Sequence, residues 1–146
     1  MTIRLSTGLR NAMAGTTGFA ATFANGIIEI YSGSQPSSAD AATTGTLLGV
    51  VSTNGAAFTP GTATNGLTWA TAADGGVSKS TSNWQFTGIA AGTAGWFRLK
   101  GNALDSNATS TTLPRMDGSI ATSGGDMSLS NTTVAVGAPN TIDVFQ

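Results

Sequence analysis

The side chains best equipped for chemistry in this 146-residue chain are seven carboxylates, six cations and three tryptophans; it has no His and no Cys. Two carboxylates placed across a sugar linkage make a glycosidase, so the acids come first. They are Glu29, Asp40, Asp74, Asp105, Asp117, Asp126 and Asp143. Asp40, Asp74, Asp105 and Asp126 stand beside Gly, Ala, Ser or Asn, in segments that read as turns. Asp is favoured there because its carboxylate caps nearby backbone N–H groups. The expectation is structural Asp.

The two zeros exclude more. Without His there is no Ser-His-Asp or Cys-His pair and no His-ligated zinc. Without Cys there is no disulfide framework and no thiolate nucleophile. The segment Ser123-Gly-Gly-Asp-Met-Ser lacks the alternating acidic ligands and closing Glu of an EF-hand. Gly88, Gly92 and Gly95 lack the Lys-Ser/Thr of a phosphate loop, and their stretch joins two apparent strands. No catalytic residue, cofactor or metal is expected, and the chain reads as non-enzymatic.

The cations Arg4, Arg10, Lys79, Arg98, Lys100 and Arg115 are scattered, and the net charge is −1. A phosphate backbone needs a basic patch, so nucleic acid is not an expected partner. Gly, Thr, Ser or Asn breaks every apolar run well short of the roughly 20 residues of a membrane span. The soft stretch after Arg4 and Arg10 imitates a signal peptide, but Gly15, Thr16, Thr17 and Gly18 weaken its apolar core. The better reading is an ordered arm, with Ser6 or Thr7 capping a helical turn through Leu9, Arg10 and Met13.

The elements that must carry these residues are short strands. Turn dipeptides recur at Asn25-Gly26, Asn54-Gly55, Asn65-Gly66, Asp74-Gly75, Gly101-Asn102, Asp117-Gly118 and Gly124-Gly125. Between them lie runs of β-branched and aromatic residues: 27–32, 47–52, 67–69, 77–80, 83–90, 95–101, 116–121, 127–130, 132–136 and 141–145. Period-two alternation puts Ile28 with Ile30, Phe97 with Leu99, Trp84 with Phe86, Val134 with Val136 and Ile142 with Val144. Ile28, Ile30, Phe86, Phe97 and Leu99 are the predicted core. The opposite face of the 95–101 strand carries Trp96, Arg98 and Lys100. An outward Trp between cations fits an interface hot spot; a strand covered on both sides makes it a second core residue. Arg98, Arg115 and Asp117 are candidates to pair across neighbouring strands. The segment 33–45 shows no pattern and reads as an exposed loop.

The fold class is therefore all-β, an antiparallel β-sandwich (jelly-roll-like), with an N-terminal arm at 1–24 and the sandwich domain at 25–146.

The stretch Gly26-Ile-Ile-Glu-Ile-Tyr-Ser-Gly-Ser-Gln-Pro-Ser-Ser-Ala-Asp is followed by Thr44-Gly-Thr-Leu-Leu-Gly, Gly92-Thr-Ala-Gly-Trp-Phe-Arg-Leu-Lys-Gly and Pro114-Arg-Met-Asp-Gly-Ser-Ile. With Ser123-Gly-Gly-Asp-Met-Ser-Leu-Ser-Asn-Thr-Thr-Val-Ala-Val-Gly, it resembles small tailed-bacteriophage virion proteins from residue 26 to about 140. The resemblance implies a capsid decoration (cement) protein on the head surface of the virion. Such proteins bind the major capsid protein, commonly as homo-oligomers with trimers favoured. Arm, loop and the outward face of the 95–101 strand then become the expected partner contacts, through Arg4, Leu9 and Arg10, Gln35 and Pro36, and Trp96 and Arg98. The alternative is a carbohydrate- or receptor-binding module of a tail tip or fibre.

Overall fold

The computed structural model describes residues 3–142 and 145. Asp143 and Val144, in the last expected strand, lie outside the described residues, as do Met1, Thr2 and Gln146. The strands are β1 (Arg4–Leu5), β2 (Ile27–Ser32), β3 (Leu47–Thr53), β4 (Trp84–Thr87), β5 (Gly92–Lys100), β6 (Arg115–Ala121), β7 (Met127–Ser128), β8 (Thr133–Val134) and β9 (Pro139–Ile142). Two short helices, α1 (Thr7–Ala14) and α2 (Phe19–Thr22), precede β2. The fold is all-β and mostly antiparallel, as expected. One hydrogen-bonded path runs β1-β6-β5-β2-β3-β4-β9, with β8 against β5 and β7 parallel to β6.

Register sorts the central strands into two faces. Ile28 sits opposite Leu99 and Val51, and Ile30 opposite Phe97. These side chains form the core, and all five are fully buried. The far end of the path folds back over them. Phe145 lies 5.8 Å, ring to ring, from both Phe97 and Trp84. Leu9 and Phe23 close the same core from the arm side.

Turn chemistry works where φ is positive. Asp74 (φ 52) and Gly75 (φ 78) form a tight reversal bracketed by the Ala73–Gly76 bridge. Asp117-Gly118 is a correction, because it lies inside β6. Gly is needed there for another reason: a Cβ would come 2.6 Å from the Phe97 ring, which lies directly over β6. The expected strands at 67–69 and 77–80 reduce to single bridges, Gly26–Leu67 and Trp69–Lys79.

The arm is not a separate body. Its β1 pairs with β6, Arg4 opposite Asp117 and Leu5 opposite Met116. Ser6 caps α1 as expected, accepting from the Leu9 N–H at 3.1 Å, but the helix runs eight residues instead of one turn. The same fully buried hydroxyl accepts from Arg115 N (2.8 Å) and donates to Leu113 O (2.9 Å). One oxygen thus joins the helix start, β6 and the segment before it. The accessible surface is 6891 Å², against about 6,900 Å² for a compact monomer of this mass. An arm extended into solvent would exceed that.

Ser6→Ala strips three hydrogen bonds from one buried point and is expected to cost about 2 kcal/mol. Urea unfolding of the variant measures it; a loss below about 0.5 kcal/mol would mean water replaces the hydroxyl.

Candidate functional site

The second face of the central strands is where charge collects. Glu29 sits opposite Arg98, Ile27 opposite Lys100, Tyr31 opposite Trp96, Arg98 opposite Asp117 and Lys100 opposite Arg115. An open sheet would hold these side chains in water. Here they are buried, because the segments 33–46 and 101–114 lie across them. Arg98 meets Asp117 through two bonds, Nε to Oδ1 at 2.8 Å and Nη2 to Oδ2 at 2.7 Å, both side chains at 0% exposure. Lys100 meets Glu29 at 2.9 Å. Arg115 meets Asp105 with Nε at 2.7 Å and Nη2 at 2.6 Å. Of the pairing expected among Arg98, Arg115 and Asp117, the Arg98–Asp117 half forms. Arg115 turns instead to Asp105, on the covering segment.

The cations also hold the cover down. Arg98 donates to Ala41 O (3.1 Å), Lys100 to Asp105 O (2.9 Å) and Arg115 to Ala108 O (2.9 Å). The two segments are tied to each other by Thr43 N to Asn107 O and Ser110 N to Asp40 O. Asp40 then accepts from Thr7 N (2.8 Å) and Thr7 Oγ1 (2.7 Å), fastening the loop to the start of α1. The segment 33–45 is a loop with Ser34, Ser37, Ala42 and Thr44 exposed, as expected, but Pro36 and Ala39 are buried and its bonds to sheet and α1 make it a fixed strap.

Two carboxyls show opposite outcomes of one competition. Burial opposes ionisation of Asp105, but hydrogen bonds from Arg115 and the Asn107 N–H, with Lys100 nearby, outweigh it and lower its pKa. For Asp117 burial prevails over the Arg98 bonds, and its pKa is raised. Burial, then the adjacent Glu29 carboxylate, pushes the Tyr31 phenol far above its usual value. Tyr31 donates to Glu29 at 2.9 Å and is no proton carrier at neutral pH.

A carboxyl whose folded pKa is lowered stabilises the fold above its unfolded value, about 4, and loses that contribution as pH falls through the folded value. Asp105→Asn is therefore expected to cost about 2 kcal/mol at pH 7, with the deficit shrinking toward pH 3. Urea unfolding at the two pH values measures this; an equal deficit at both contradicts the Asp105 assignment.

The seven residues expected to face partners are placed differently from one another. Trp96 is fully buried, stacked on Tyr31 at 4.6 Å and beneath the Arg98 guanidinium at 5.6 Å. Its alternatives resolve toward the covered strand. Arg98 is sealed with it, and Leu9 belongs to the apolar core. Arg4 donates to Pro36 O, bringing arm and strap together beside half-buried Gln35. Arg10 is exposed on α1, bonded to Thr7 Oγ1 at 3.0 Å.

Sequence reasoning missed a cleft of about 430 Å³ on the charged side of the sheet. Ile27, Val50, Pro60, Ile89 and Leu104 wall it, with Glu29, Lys100 and Asp105 among its lining. Ile89 is 57% exposed and Leu104 78%. Leu104 lies in a segment without alternation, and Ile89 ends the expected 83–90 run on the face of Gln85 and Thr87; being large apolar residues amid small polar ones is what marks them in the sequence. No family model, curated protein or solved structure matches the chain.

Proposed function

We propose that the chain is a non-enzymatic structural protein of a tailed-bacteriophage virion. In this reading it is a capsid decoration protein that binds the major capsid protein on the head surface and acts as a homo-oligomer, a trimer being favoured. The observation that carries the non-catalytic, scaffold part of the reading is the sealed ionic face. Three of the six cations and three of the seven anions are locked into buried pairs within the sheet and onto the 101–114 segment, and Arg98 also holds the strap through Ala41 O. Groups held this way are fixed in place, and a clamp gains from such rigidity because it loses little entropy on binding. The virion itself enters through the resemblance of the sequence segments.

A carbohydrate-binding tail-tip module would stack sugar rings on exposed aromatic faces. Trp84 and Trp96 are fully buried, and Trp69 packs edge-on against Trp84 and Phe19 with its Nε1 bonded to Phe23 O. Trp84 and Trp96 are closed to a sugar ring, and Trp69 is half-buried in its aromatic cluster, so this reading gains no support from the two buried tryptophans.

A protein that binds assembled shells and not free subunits stabilises the shell by mass action. Particles stripped of the chain are expected to release their genome at lower temperature, and adding back purified chain restores the original temperature. Identical release temperatures with and without it would contradict a cementing role.

A further inference from the structure

We propose that the cleft beside Lys100 binds an uncharged, apolar segment of another protein, with one of its backbone carbonyls accepting from the Lys100 ammonium. This goes beyond the virion reading and does not depend on where in a particle the chain sits.

Three observations select that occupant. The first is charge. Lys100 Nζ donates to Glu29 Oε1 and Asp105 O, both at 2.9 Å. Glu29 Oε2 accepts from Tyr31, and both oxygens of Asp105 are taken by Arg115. The lining therefore carries no uncompensated charge. An incoming carboxylate would compete with Glu29 for Lys100, and an incoming cation would sit beside an ammonium group. Both are costly at a desolvated site.

The second is the ammonium itself. It has three N–H donors, and two have partners among the described residues. Lys100 lines the cleft at 5% exposure, so its remaining donor is served by a neutral acceptor brought by the occupant. A peptide carbonyl is such an acceptor.

The third is the rim. Ile89 and Leu104 are large apolar residues left exposed, and the cleft between them is walled by Ile27, Val50 and Pro60. Several separate apolar groups favour a chain with several apolar side chains over a single small molecule.

The test is a titration of the full-length ¹⁵N-labelled chain with acetyl-Val-Leu-Val-amide, and with analogues carrying Asp or Lys at the central position. Saturable shifts centred on Ile89, Lys100 and Leu104 are expected for the uncharged peptide, with at least tenfold weaker binding of both charged analogues. Leu104→Asp and Ile89→Asp, at exposed positions, should keep the folded spectrum and weaken the uncharged peptide at least tenfold. Shifts centred elsewhere, equal binding of the charged analogues, undiminished binding by both variants, or no saturable shift up to the peptide's solubility would each overturn the proposal. Particle localisation is measured separately, so the cleft and the virion reading can fail independently.

Discussion

Asp117→Leu is expected to cost about 3–5 kcal/mol, while the double variant Arg98→Met/Asp117→Leu recovers most of that loss. Asp117 receives both the Nε and Nη2 donors of Arg98, and neither side chain reaches solvent. Removing the acid alone strands a guanidinium beneath the strap, where it keeps a bond to Ala41 O and its neighbour is the Trp96 ring. Removing both charges deletes the stranded partner along with the pair. Urea unfolding of the two variants and the wild type gives the comparison. A single-variant loss below about 1 kcal/mol would mean that water reaches the pair, as in surface ion pairs, and that the strap does not seal the face.

The apolar side carries the other large effect. Trp84→Ala is expected to cost about 3–5 kcal/mol, lowering the melting temperature by roughly 10 °C for a domain of this size. Trp84 is fully buried where β3, β4 and β9 meet, opposite Thr53 and Ile142. Its ring lies 5.0 Å from Trp69 and 5.8 Å from Phe145. The far end of the sheet closes over the core through this cluster, so an emptied site loses contacts on several sides. Trp84→Phe keeps an aromatic ring there and should cost less than half as much, as calorimetry would show. Equal losses for Ala and Phe would place the energy of this residue in something other than the volume it fills.

The core was legible because alternation is local. Ile28 with Ile30 and Phe97 with Leu99 needed only the period of a strand, and the register then sets Ile28 against Leu99 and Ile30 against Phe97. The N-cap at Ser6 was legible for the same reason, since a cap reads its own helix. What the sequence hid is non-local. Alternation places Trp96, Arg98 and Lys100 on one face but cannot say whether water or chain covers that face. The cover comes from 33–46 and 101–114, which have no periodicity and are recruited by Arg98, Lys100 and Arg115 through backbone carbonyls. A carbonyl acceptor leaves no residue-type signature. The partial clue was Asp105, a carboxylate in a turn-like stretch ten residues before Arg115, now at 2.6 Å from it. Ser6 as a three-way junction was equally hidden, because two of its partners lie more than 100 residues away.

Arm, strap and sheet together form one pinned body, which suits a protein that is placed once in an assembly and holds it. That reading is tested most directly by electron cryomicroscopy of intact phage particles carrying the chain with a gold-binding label. Label is expected in a regular array over the head, at sites between major capsid subunits. Particles free of label, or labelled only on the tail, would contradict it.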